Sequence, residues 1–247
     1  MHVYLIAGAA VWGIVSGLLV PRAAYRLTVP AEEPWAAACP AGHPLRGWLG
    51  PARCPDCPDC AAGAAGDGRP RRYGLGHGVA LACAVACAAL AWRVGAHPEL
   101  AVWLLLVPAG LLLARVDLAV FRLPDVITLP GFALTAVLLG AAALLPSHQG
   151  SWLRGLTAAA VLGAVYGVLF LINPAGMGFG DVKLAPTLGF VLGWYGWGAV
   201  MLGTLAGFLL GALTGVVLIA ARRATRKTAI PFGPFMLVGA LAAVLAH

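Results

Sequence analysis

The sequence predicts an all-α polytopic membrane protein of about eight transmembrane helices, with one long cysteine-containing loop near its start. Three observations lead there. Of 247 residues, 61% are hydrophobic and only 10% are charged, too little charge to cover the surface of a water-soluble domain of this size. The apolar residues fall into runs, and about 17–25 such residues cross a bilayer. The charged residues gather between the runs and scarcely enter them.

Eight spans follow in order: 3–20, 76–94, 99–114, 126–145, 154–172, 184–196, 198–220 and 231–246. The first resembles a signal peptide in position, but its basic residues, Arg22 and Arg26, come after the apolar run. That reverses a signal peptide's order, so this segment is expected to remain as a span. The fourth follows Pro124 and Asp125, a pattern in which Asp125 reads as a helix N-cap. The sixth and eighth are short and rich in Gly or Pro. Ala, Gly and Leu recur in every span, which suits close helix packing in lipid, and no fixed-period repeat is visible. The chain divides into a first span (1–20), a loop (21–75) and a core of seven spans (76–247).

Connector charge sets the orientation. The loops 21–75, 115–125, 173–183 and 221–230 hold fourteen of the sixteen Lys and Arg residues, and the alternate set holds only Arg93 and Arg154. The positive-inside rule places the first set in the cytoplasm and both termini outside. The net charge of +7 is thereby read as topology. It forms no basic stripe with interleaved aromatics, so nucleic acid is not expected as a partner.

Asp and Glu total nine, and Asp117, Asp125 and Asp181 are the three that adjoin apolar spans on the predicted cytoplasmic side. Carboxylates at such positions are costly and are functional candidates by default. Asp181 lies in Gly176-Met-Gly-Phe-Gly-Asp-Val-Lys183. Its glycines permit unusual backbone angles and close approach of another chain segment. Asp117 could instead pair with Arg115 or Arg122 at a helix end. Two carboxylates sharing one proton are the requirement for aspartyl proteolysis, since close like charges resist double ionisation. The pair Asp117 and Asp181 therefore suggests an intramembrane aspartyl protease.

The stretch Asn173-Pro-Ala-Gly-Met-Gly-Phe-Gly-Asp-Val-Lys-Leu184 resembles the signature of the type IV prepilin peptidases, the bacterial GxGD aspartyl proteases. Asp117-Leu-Ala-Val-Phe-Arg-Leu-Pro-Asp125-Val-Ile-Thr128 looks like that family's first aspartate motif. Ile230-Pro-Phe-Gly-Pro-Phe235 is similar to the element opening its last span. The resemblance implies catalysis by Asp117 and Asp181, supported by Gly178, Gly180 and Lys183. It implies prepilin or pseudopilin substrates, cut after a Gly behind a basic leader at the cytoplasmic face of the bacterial inner membrane. Lys183 could hold its loop at the anionic inner leaflet or serve topology alone. A transporter using the carboxylates as an ion or proton relay is the rival reading, and a binding or scaffold protein the third.

Cys39, Cys54, Cys57 and Cys60 lie in the predicted cytoplasmic loop, where disulfides are not expected, and four thiols there suggest structural zinc. The family's loop has two Cys-x-x-Cys pairs. Here Gly42 stands where the first pair's second Cys belongs, so Cys60 or His43 must supply the fourth ligand, or the loop is metal-free. Cys83 and Cys87 read as ordinary buried side chains, His77 as interfacial, and His97 and His148 carry no signal. Relatives that also methylate the new amino terminus with S-adenosylmethionine continue Arg-Tyr-Pro-Leu-Val-Glu. This chain has Arg72-Tyr-Gly-Leu-Gly-His77, without that glutamate, so methylation is expected to be weak or absent.

Overall fold

The computed structural model describes residues 2–30, 32–39, 42–51, 76–174, 176–223, 225 and 228–247. Among these it is all-helical: α1 (His2–Leu27), α2 (Gly76–Val94), α3 (Glu99–Val120), α4 (Asp125–Ala143), α5 (Trp152–Ile172), α6 (Phe179–Tyr195), α7 (Trp197–Ala220) and α8 (Gly233–Ala246). Six of them (α1 to α5 and α7) are long and apolar enough to cross a membrane. Each predicted span contains one helix. Three limits move: α1 continues to Leu27, α3 to Val120, and α6 begins at Phe179. Hydropathy marks where a chain meets the headgroups, whereas backbone hydrogen bonding carries a helix on into the polar zone.

The chain forms two compact units, Met1–Trp92 with Trp103–Val120, and Arg93–Val102 with Phe121–His247. In the first, small residues let helices touch backbone to backbone. A side chain on Gly13 or Gly17 of α1 would come within 2.6 Å of the Cα of Ala84 or Ala80 of α2, the close crossing that small residues one helical turn apart permit in lipid. Two helices here contain proline, and backbone groups near each proline are bonded from outside the helix. Pro108 has no N–H for the Leu104 carbonyl, and the Trp12 indole donates to that oxygen at 2.8 Å. Near Pro21, Gly50 donates its N–H to the Leu19 carbonyl (2.9 Å) and accepts from the Arg22 N–H (3.2 Å).

The first part of the long loop is thus ordered against the end of α1. Arg22 donates to the Arg46 carbonyl at 2.8 Å and Arg26 to the Gly47 carbonyl at 2.7 Å. The Arg26 guanidinium also lies 4.2 Å from the centre of the Trp48 ring, and Trp48 meets Trp35 edge to face. The two arginines read as topology signals also hold this fold-back together.

In the second unit α6 is the central helix, packing against α4, α5, α7 and α8 with eleven buried residues from Asp181 to Trp194. Its C-terminal end is fixed by one side chain. Arg154 of α5 donates from Nε to the Gly193 carbonyl (3.0 Å) and from a terminal nitrogen to those of Trp194 (3.0 Å) and Tyr195 (3.3 Å). This satisfies carbonyls that a helix end leaves without partners. At the same end the buried Glu99 accepts from the Gln149 N–H at 3.0 Å, and His97 Nδ1 lies 2.5 Å from the Ser147 carbonyl. His97, without a signal in the sequence, therefore ties the start of α3 to the α4–α5 connector.

Candidate active site

Asp181 is buried (5% exposed) and lies in the first turn of α6, because the helix begins at Phe179, ahead of the span predicted from residue 184. Gly178 is the N-cap residue, with φ −71° and ψ 141°. Its carbonyl accepts from the Asp181 N–H at 3.0 Å. None of Gly176, Gly178 and Gly180 has a positive φ, so the expectation of unusual backbone angles gives way to one of close approach. A Cβ on Gly180 would stand 2.9 Å from the Leu123 Cβ and 3.1 Å from its backbone nitrogen. Gly180 thus lets the start of α6 sit directly on the Leu123–Pro124 backbone.

A charge pair closes the same joint. Lys183 Nζ donates to Asp125 Oδ1 at 2.6 Å, with the two side chains 23% and 57% exposed. Lys183 also lies 4.7 Å from the centre of the Phe179 ring. The N-cap reading of Asp125 is corrected: Pro124 occupies the cap position without a side-chain cap bond, and Asp125 is the first helical residue. Proline's fixed φ suits the entry to a helix, which frees the Asp125 carboxylate for Lys183.

Asp117 is also buried (4% exposed) and sits in the last turn of α3, within the first unit. The helix ends at Val120, and the next residue, Phe121, turns the chain with φ 54°. This left-handed conformation commonly follows a helix C-terminus but is uncommon for an aromatic residue.

Sequence reasoning missed Tyr166. It is fully buried in α5 and lies within reach of the Asp181 charge. Its ring stacks on Phe208 of α7 at 5.7 Å and meets Phe232 at 6.3 Å. Phe232 belongs to the Pro-Phe-Gly-Pro stretch, which therefore packs against Tyr166 and Phe208. A lone tyrosine in an apolar span was the available signal.

The loop cysteines are represented by Cys39, since Cys54, Cys57 and Cys60 lie outside the described residues, as do Arg72 to Leu75. Cys39 is buried, its Sγ 3.7 Å from His43 Nδ1. A tight turn makes that approach: the Cys39 N–H donates to the His43 carbonyl (2.8 Å) and the Gly42 N–H to the Cys39 carbonyl (2.9 Å), with Gly42 at φ 86°. Among the described residues no three His, Cys, Asp or Glu side chains gather as a metal site. Cys83 and Cys87 are free and buried, as expected.

Fold and site together define a polytopic membrane protein that buries carboxylates at the ends of its helices. Residues 103–219, which include Asp117, Asp125, Asp181 and Lys183, match the type IV leader peptidase family. The prepilin leader peptidase/N-methyltransferase of Pseudomonas putida is 31% identical over 277 residues, covering 98% of this chain and 91% of that protein. The protein of the same name from Pseudomonas aeruginosa is 32% identical, covering 91% and 74%. One from Bacillus subtilis is 38% identical over 112 residues, 42% of this chain and 41% of its own length. No solved structure gives a significant match. The chain belongs to the type IV leader peptidase family and is a membrane peptidase. The transporter reading finds no support among these relatives.

Proposed function

We propose that this chain removes the leader from type IV prepilins or pseudopilins at the cytoplasmic face of the bacterial plasma membrane, with Asp117 and Asp181 as the catalytic pair. The observation that carries this reading is the burial of both carboxylates at helix ends inside the family-matched segment. In the reaction the ionised carboxylate takes a proton from water, whose oxygen adds to the scissile carbonyl carbon. The protonated partner gives its proton to the carbonyl oxygen. The resulting diol collapses, the amide nitrogen gains a proton and the C–N bond breaks. Helix dipoles divide these roles. The positive N-terminal end of α6 favours the charge on Asp181, and the C-terminal end of α3 opposes one on Asp117. Asp181 is thus the base and Asp117 holds the shared proton.

Orientation rests on the fourteen-to-two division of basic residues. By that division the connectors beside Asp117 and Asp181 both belong to the set rich in Arg and Lys. A substrate whose apolar helix lies in the bilayer would meet the pair at its junction with the basic leader. Cleavage of a reconstituted prepilin, lost with either Asp117→Asn or Asp181→Asn while insertion stays normal, is the result expected. Retained cleavage in either variant would reject the pair.

For the loop the proposal is a structural zinc held by Cys39, Cys54 and Cys57, with Cys60 or His43 as the fourth ligand where Gly42 replaces a cysteine. Thiolate and imidazole suit zinc, and the approach of Cys39 to His43 supports a half-site in this chain. Zinc there would order a peripheral loop without entering the peptide chemistry. About one tightly held equivalent, lost with Cys54→Ser/Cys57→Ser, is expected on metal analysis. Metal-free protein with a protease-resistant loop would refute it. Methylation with S-adenosylmethionine is proposed to be weak or absent, for want of a carboxylate among residues 72–77. Stoichiometric methylation of a cleaved pilin by this protein would overturn that.

A further inference from the structure

Two features fasten the start of α6 to the segment Leu123-Pro124-Asp125: the glycine contact at Gly180 and the Lys183–Asp125 pair. They flank Asp181 in the sequence, one residue before it and two after. The segment they grip is the connector that leaves α3 shortly after Asp117. The geometry points to Asp125 and Lys183 as a positioning pair, a clamp that sets the depth and rotation of the α6 turn carrying Asp181. This inference rests on the reading of Asp181 as catalytic.

The physical case is one of economy of contacts. The C-terminal end of α6 is fixed by three Arg154 hydrogen bonds, but its N-terminal N–H groups have no side-chain cap. A capping side chain at residue 178 would fix this end locally, and glycine supplies none. Lys183 supplies the restraint from one turn further in, and its contacts with Asp125 and with the Phe179 ring both stand at this joint. A half-exposed ion pair adds little to global stability. A small displacement of a reacting group, by contrast, is costly in rate. The pair should therefore be felt in turnover far more than in folding.

The test uses purified full-length protein in proteoliposomes and a synthetic prepilin with a basic leader. Asp125→Asn and Lys183→Gln should each lower kcat about tenfold with KM within about twofold and the melting temperature nearly unchanged. The double variant should be no slower than either single one, because the interaction can be lost only once. The exchange Asp125→Lys/Lys183→Asp should recover most of the lost turnover. Single losses that multiply, or an exchange as slow as the single variants, would overturn the clamp and show two charges acting independently, for instance Lys183 on lipid phosphate. Unchanged kcat in both single variants would overturn it as well. Asp181→Asn in the same assay keeps the two ideas apart: activity retained there rejects the catalytic assignment, whatever the charge-pair variants do.

Discussion

The two ends of α6 are built in opposite ways. At Tyr195 the chain is gripped by a partly buried guanidinium on three successive carbonyls, with the Ser151 N–H adding a bond to the Trp194 carbonyl and the Trp194 ring wholly buried. At Phe179 the grip is one partly exposed ion pair and one bare glycine contact. Charged hydrogen bonds to otherwise orphaned carbonyls are strong and inflexible, whereas exposed ion pairs are weak and adaptable. The helix is anchored at one end and adjustable at the end that carries Asp181. On the proposed function a substrate backbone must enter beside Asp181, which calls for slack there, and a fixed reference at the other end keeps that slack small.

The largest expected effect separates the ends most sharply. On the proposed reading of Asp181 as catalytic, Asp181→Asn should lower kcat by at least about a thousandfold and leave thermal stability nearly unchanged, since the two side chains have the same shape. A comparable loss of stability would mean the adjustable end is also an anchor. Arg154→Ala should do the reverse, costing about 2–4 kcal/mol of stability through unsatisfied carbonyls, read as a lower melting temperature in detergent. Next in size is Gly180→Ala. The added methyl must displace the Leu123 backbone, and kcat should fall about tenfold to a hundredfold with the protein still folded. Full activity there would show that the joint tolerates more play than the 2.9 Å approach allows. The smallest effect belongs to Tyr166→Phe, which keeps the aromatic stacking and loses one hydroxyl near Asp181. A decrease of about threefold in kcat, with KM unchanged, is expected from steady-state cleavage.

How much of this could be read in advance depends on which force fixes each feature. Runs of apolar residues gave all eight helices, because partition into lipid is a local property of composition. Helix ends were legible only where polar residues coincide with them. Asp117 looked like the limit of a span, yet α3 continues to Val120, and Gly178 to Asp181 looked like loop although the helix begins at Phe179. Gly-rich sequence lowers helix propensity, and here the close seat on Leu123 prevails over that preference. The role of Asp125 was misread as a cap because the alternative partner, Lys183, lies far along the chain and sequence spacing does not reveal it. The surroundings of Tyr166 were hidden for the same reason, its neighbours Phe208 and Phe232 coming from α7 and from the residue before α8. The meeting of Cys39 with His43, four residues apart, was within reach of sequence reasoning.

The indole of Trp12 on the carbonyl left open by Pro108 bears on how the protein is made. In lipid an unmatched carbonyl has no water to turn to, so α3 carries a small debt of about 1–2 kcal/mol until Trp12 arrives. Synthesis runs from the amino terminus, and α1 is in place before α3 leaves the ribosome. Because α1 precedes α3 in the chain, the donor is made before the acceptor, and Trp12→Phe would leave the Leu104 oxygen without this partner.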